Sequence, residues 1–328
     1  MRRRFYRLLS LGLSLLFAGC SLTPTALLDP NIQQQIEPTA EITDTPFIQQ
    51  ADFQCGPASL AMVMNYYGDD ITPQMLARQV FTPKAKGSFP VEMDIASRRQ
   101  GYISFPVNTI DNLIREINAG HPVLVLQNLS ISWYPMWHFA VVVGYDLQQR
   151  ELVLRSGDLA RRITPMSVFE NTWARSDHWG RVVLPPTQIP VTADPLSYIQ
   201  IINSLEQVGQ LDLAITAYRT ATVAWPESHL PRFALANILL ATGKTEAAIA
   251  EYHQLLTKNP KLIPGWNNFA YALKARGCFL QAQQAAQCGV QLAPQDANLL
   301  DTSTEMSELP PQSDSICPVV SCSLAKNK

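Results

Sequence analysis

A spacing of 34 residues recurs through the second half of the chain and limits what that half can become. Gly209, Gly243 and Gly277 follow it, as do Ala214, Ala248 and Ala282, and Pro226, Pro260 and Pro294. Self-similarity at a fixed period means that each unit packs on its neighbours, so the segment must form a linear array. The residue types indicate the unit. Glycine permits a tight turn between helices, alanine lets two helices approach closely, and proline stops a helix because it has no N–H and clashes with the preceding turn. Residues 196–300 are therefore expected to be all-α, with three units burying a continuous apolar seam.

The three series resemble the tetratricopeptide repeat. That resemblance implies helix pairs and a surface that binds a peptide or protein partner and does no chemistry. Beyond the array, residues 301–328 turn polar and are expected to be a disordered tail, in which Cys317 and Cys322 lie close enough to pair in an oxidising compartment. Pro185-Pro186 opens a linker, residues 187–195. Residues 45–186 change period along their length. Helices are expected over Gly56 to Tyr67, from Thr72-Pro73, over Val91 to Gln100 and over Thr109 to Ala119. Short β-branched runs follow at Pro122 to Gln127, Phe139 to Gly144, Glu151 to Arg155 and Arg181 to Leu184. Helices first and an antiparallel sheet after indicate an α+β domain.

The first residues have a different character. Arg2, Arg3, Arg4 and Arg7 precede an apolar stretch, Leu8 to Phe17, of about ten residues, too short for a spanning helix of about 20 but suited to a secretory signal. The segment closes on Leu16-Phe17-Ala18-Gly19-Cys20, which resembles a bacterial lipobox. That resemblance implies a signal peptide over 1–19, a lipid on Cys20 that ties the chain to a membrane, and, with Ser21 next, sorting to the outer membrane on its periplasmic side. Residues 20–44 then read as a tether. Residues 1–19 hold four arginines and no acid, so the remainder carries 21 basic against 27 acidic side chains. Nothing here favours nucleic acid, which needs a basic stripe.

The chemistry concentrates in Gln-Gln-Ala-Asp-Phe-Gln-Cys-Gly-Pro, residues 49–57, and in Trp137-His138-Phe139. A cysteine is mostly protonated near neutral pH and must become a thiolate to attack. At the first turn of a helix, Cys55 would meet the positive end of the macrodipole. His138, opening an apolar strand, is a base that could take its proton. Gln49 would offer an amide N–H to the oxyanion beside the Cys55 N–H, with Gln50 and Gln54 as rivals. Asp146 lies at the far end of the His138 strand, out of reach. Asp158 follows the next strand and is the better orienter for the imidazole, with Ser156 as its competitor. His121 and His178 read as surface residues, and Arg155 as a strand-end solvating group. Trp133, Tyr134, Trp137, Trp173 and Trp179 are either cleft walls or core. Neither C-x-x-C nor H-E-x-x-H occurs, so no metal is implied; the chemistry needs no cofactor, only a reduced thiol.

Q-x5-C-G-P-A-S-L-A-M-V-M-N-Y-Y-G with H-F-A-V-V-V-G-Y-D resembles the papain-clan cysteine peptidases best known for cutting double-glycine leader peptides. The whole chain is similar to bacterial lipoproteins that join such a domain to tetratricopeptide repeats. The resemblance implies a papain-like α+β fold, a cysteine peptidase with Cys55 as nucleophile, His138 as base and Gln49 at the oxyanion, and a peptide or protein substrate. The chain departs from the pattern after the second strand, where Ser156-Gly157-Asp158 stands in place of Asp-Pro. Two other readings stay open: a non-catalytic lipoprotein whose degenerate peptidase domain clamps peptides, and a transamidase using the same thioester.

Overall fold

The computed structural model describes residues 28–51, 53–82, 87–310 and 317–322. The signal segment, Cys20 and the start of the tether lie outside the described residues. In the first domain the chain runs through α1 (Pro30–Gln33), β1 (Thr39–Glu41), α2 (Cys55–Tyr66), α3 (Pro73–Val80) and α4 (Pro90–Arg99). It continues through β2 (Ile103–Pro106), α5 (Ile110–Asn118), β3 (Val123–Asn128), β4 (Trp137–Asp146), β5 (Glu151–Ser156), β6 (Leu159–Pro165), α6 (Met166–Ala174) and β7 (Gly180–Leu184).

The seven strands form one sheet in the order β2-β7-β3-β4-β5-β6, with β1 also paired to β4, and every pairing is antiparallel. All six residues of β3 are buried. Strict alternation is absent there because both faces of the strand are covered, with α2, α5 and α6 packed on it. α2 buries every residue from Gly56 to Met64, as its apolar composition demands. α3 starts on the Thr72 hydroxyl, which accepts from the Met75 N–H at 3.4 Å, and Pro73 fills the first turn, where no N–H is missed.

Residues 28–44 are not a free tether in this structure. Leu28 and Ile42 are buried, and Thr39, Ala40 and Glu41 pair with Asp146, Tyr145 and Gly144. The long β4 leaves its C-terminal half unpaired by β3, and β1 fills that place. The bonded ends of the linker are equally tied. The wholly buried Glu116 carboxylate accepts from Thr192 N–H at 2.8 Å and Thr192 Oγ1 at 2.6 Å, while its other oxygen meets His121 Nδ1 at 2.7 Å. His121 is thus a partner to a buried acid and not a surface loop residue.

The second domain is a run of antiparallel helices: α7 (Pro195–Gln207), α8 (Leu211–Ala224), α9 (His229–Ala241), α10 (Thr245–Lys258), α11 (Ile263–Arg276), α12 (Phe279–Leu292) and α13 (Ala297–Ser307). Gly209, Gly243 and Gly277 take φ of 78°, 73° and 87° at the turns inside each pair, the left-handed conformation that glycine adopts without steric cost. Ala214, Ala248 and Ala282 are fully buried where helices meet. Pro226, Pro260 and Pro294 each stand just beyond the end of a second helix.

The tail departs from expectation. Residues Ala297–Ser307 form α13, which buries Leu299, Thr302 and Met306 against the last pair. Residues 317–322 are held by two disulfides, Cys278–Cys317 and Cys288–Cys322, and not by a Cys317–Cys322 bridge. Both partners sit on or next to α12, so the tail is stapled along that helix. Cys55 is the free cysteine among the described residues.

Candidate functional site

Cys55 is the first residue of α2, with Gln54 in the N-cap position. Two residues earlier, Phe53 takes φ of 62°, a strained value for a bulky side chain, and this bends the chain into the helix. The backbone N–H groups of Phe139, Gly56 and Cys55 itself favour the Cys55 thiolate. Phe139 follows His138 on β4 and lines the same cavity as Cys55. Burial outweighs these donors and pushes the thiol above its ordinary value.

His138 is the second residue of β4, opposite Gln127 on β3. Its Nε2 lies 2.9 Å from Ser156 Oγ, and Ser156 is almost fully buried at the end of β5. The tautomer that frees Nδ1 to take a proton has Nε2–H donating to the serine hydroxyl. Burial first, and then the positive charge of Arg162, pull the imidazole down to about 4. Serine can orient the ring but, unlike a carboxylate, adds no charge that would favour imidazolium. Thiol and imidazole are therefore both held neutral before substrate arrives.

Asp158 does not reach His138. The β5–β6 hairpin closes between Ser156 and Leu159 through a two-residue turn, Gly157-Asp158. Gly157 adopts φ of 60° at the first position, where a type II′ turn calls for glycine. The chain therefore leaves the line of β5 straight after Ser156, and the Asp158 carboxylate instead accepts from Gln49 Nε2 at 3.4 Å. The contact on His138 Nε2 is made by Ser156.

The two glutamines divide their work. Gln50 Nε2 donates to Ser59 Oγ at 3.3 Å and to the Phe139 carbonyl at 3.5 Å, while its Oε1 accepts from Gly157 N–H at 3.2 Å. One amide thus ties α2, β4 and the hairpin turn together. Gln49 is exposed and reaches the site through Asp158 alone. Arg155 was not legible as part of this framework. It is buried and donates to the carbonyls of Thr43, Thr45 and Ala160, which ties down the turn that leads from β1 to the glutamines.

Cys55, His138, Gln50 and Asp158 line one open cavity of about 810 Å³. Trp137 is on its wall and half exposed. Trp133 and Tyr134 project from the β3–β4 loop into solvent, whereas Trp173 is core and donates its indole N–H to the Trp179 carbonyl at 2.9 Å. His178 is paired with Glu170 at 2.7 Å and stacked edge-on against Trp173, so it too is structural. Among the described residues, no group of three or more His, Cys, Asp or Glu side chains is placed to hold a metal ion. No described helix is long and apolar enough to cross a membrane.

A family match covers the first domain. Residues 42–179, which include the glutamines, Cys55, His138, Ser156 and Asp158, match the model of the Peptidase_C39 like family. No curated protein sequence matches the chain. Among solved structures, the chain is similar to a C39-like peptidase from Bacillus anthracis, with 18% identity over 44% of this chain and 97% of that one and a TM-score of 0.38. It is also similar to the peptidase domain of Streptococcus ComA, a bifunctional ABC transporter of a quorum-sensing pathway, at 20% identity over 43% and 98% of the two chains with a TM-score of 0.35. The first tetratricopeptide domain of Spaghetti (RPAP3), solved with an HSP90 peptide, matches at 17% identity over 36% of this chain and 95% of that one with a TM-score of 0.33. The fold is an antiparallel-sheet, papain-like domain that matches the C39-like peptidase family, followed by a tetratricopeptide-like helical array.

Proposed function

We propose that this chain is a cell-envelope lipoprotein whose first domain is a cysteine peptidase acting through Cys55 and His138. The observation that carries the reading is that Cys55, at the first turn of α2, lines the same cavity as a His138 whose Nε2 is occupied by Ser156. His138 Nδ1 takes the thiol proton as the sulfur attacks the peptide carbonyl carbon. The Cys55 N–H and the Gln49 amide hold the oxyanion; the Gln50 amide is engaged at both ends, whereas the Gln49 amide has only its 3.4 Å bond to Asp158 to give up. The C–N bond then breaks, His138 returns the proton to the leaving amine, and water, deprotonated by His138, releases the acyl half from the thioester.

The array recruits the substrate protein or a partner through its helical surface, and lipid on Cys20 holds the chain to the outer membrane facing the periplasm. The two disulfides fit an oxidising compartment. Radiolabelled palmitate should enter the wild type and be lost in Cys20→Ala; equal labelling of both would refute the anchor. For the peptidase, a mixed peptide library is incubated with wild type, Cys55→Ala and His138→Ala and read by mass spectrometry. Cleavage in the wild type alone supports the reading, and its absence there refutes it.

The clamp reading draws on a specific observation. A thiol raised by burial, an imidazole lowered by it and an uncharged third residue make a pair that resists ionisation. Under that reading the Cys55→Ala protein binds library peptides as tightly as the wild type, and neither cleaves them.

A further inference from the structure

A second polar group faces the Cys55 cavity and takes no part in the chemistry described so far. Ser88 lines the cavity, and its Oγ is buried with no hydrogen-bond partner among the described residues. Buried hydroxyls are nearly always satisfied, so one left over beside a nucleophile points to a group that arrives from outside. Its place is set by Gly56. A methyl at that position would lie 2.7 Å from Ser88 Oγ and 2.9 Å from Ser88 Cβ, so the serine fits against the first turn of α2 only because residue 56 has no side chain.

The neighbouring wall is apolar. Phe89, Met136 and Trp137 line the same cavity and are 49%, 57% and 51% exposed. Large side chains left in water around a concave site lose the most favourable part of their burial until something covers them. A pair of glycines entering the cavity would leave that wall wet. A leucine or phenylalanine side chain would cover it.

Building on the peptidase reading of this site, we propose that the cavity takes a peptide with a large apolar side chain next to the scissile bond, its main chain held by the Ser88 hydroxyl. Ser88 is then a substrate-binding residue, with Phe89 and Trp137 setting the preference. The hydroxyl can donate to a peptide carbonyl or accept from a peptide N–H, so it serves every sequence alike. Discrimination comes from the apolar wall.

The test uses fluorogenic peptides identical except at the residues beside the cleaved bond, which are Gly-Gly, Ala, Leu or Phe. The wild type should favour Leu and Phe over Gly-Gly by roughly ten- to a hundredfold in kcat/KM, the range expected for burying one such side chain. Phe89→Ala and Trp137→Ala should erode that preference. Ser88→Ala should raise KM for all four peptides by about tenfold at most, with kcat little changed, and Ser88→Thr should restore it. Equal or better cleavage of the Gly-Gly peptide overturns the proposal, as does a Ser88→Ala variant with an unaltered KM. Binding of the same peptides to Cys55→Ala, read by fluorescence polarisation, separates the two levels of argument. If nothing is cleaved but Leu and Phe peptides bind this variant preferentially, the cavity assignment stands and the peptidase reading falls. If no peptide is cleaved or bound, both fall.

Discussion

Removing the Cys278–Cys317 bridge should loosen the end of the helical array by an amount that the chain path sets. Alone, this bridge closes a loop of 39 residues, for which the loop-entropy relation gives about 4 kcal/mol of stabilisation. The Cys288–Cys322 bridge changes the calculation. With it in place, the short route from Cys278 to Cys317 runs along α12 to Cys288, across to Cys322 and back, about 15 residues, for which the same relation gives about 3 kcal/mol. The double variant Cys278→Ser/Cys317→Ser should therefore lose about 3 kcal/mol in the transition of the array. At a denaturant slope of about 2–3 kcal/mol per molar, its urea midpoint by far-UV circular dichroism should fall by roughly 1 M. Dithiothreitol should bring the wild type below the untreated variant, because it opens both bridges. Coincident midpoints for the oxidised wild type and the variant would refute the reasoning. So would ready maleimide labelling of Cys278 and Cys317 in the unreduced wild type.

Three further outcomes follow from the site. Ser156→Ala removes the hydroxyl on His138 Nε2 and should lower kcat by up to about tenfold, the worth of one neutral hydrogen bond; an unchanged kcat would show that the ring is oriented by packing alone. Gly56→Ala forces a methyl against Ser88 and should cost about 1–3 kcal/mol by overpacking, relieved in Gly56→Ala/Ser88→Gly, with urea denaturation as the check. The folded-state pKa of His138 lies at about 4 against an ordinary 6.5, so protonation favours the unfolded chain. The associated stability is fully present above 6.5 and is lost as pH falls from there through 4. The loss amounts to about 3 kcal/mol and should be missing from the His138→Gln profile, so that it appears in the difference between the two proteins; parallel pH profiles would contradict it.

The parts of the fold legible in the sequence are those where one physical signal dominates locally. The repeat is one: glycine at positive φ, alanine at helix contacts and proline past helix ends each recur because each unit meets the same demand. The Cys55 helix and the His138 strand are others, marked by composition and period. β1 was hidden because three residues carry little pattern and its partner is about a hundred residues away in sequence. β6 was hidden because five of its first six residues are exposed, so no alternation shows. Asp158 was expected beside His138 because a turn was missed. Gly157-Asp158 is a two-residue hairpin signal, and reading it as such would have turned Asp158 away and left Ser156 facing His138. Disulfide connectivity is beyond spacing alone, since four cysteines permit three pairings. The spacing of Leu299, Thr302 and Met306, by contrast, is a helical stripe that the polar composition of the tail obscured.

The functional account rests on a covalent intermediate at one sulfur. Wild-type protein is mixed with a cleaved peptide, quenched in acid within the first turnover, digested and analysed by mass spectrometry. The account predicts that the peptide containing Cys55 gains the mass of the acyl half, that hydroxylamine removes it, and that Cys55→Ala shows neither adduct nor cleavage. Peptide cleavage that persists in Cys55→Ala, or an adduct carried by any other residue, would contradict it.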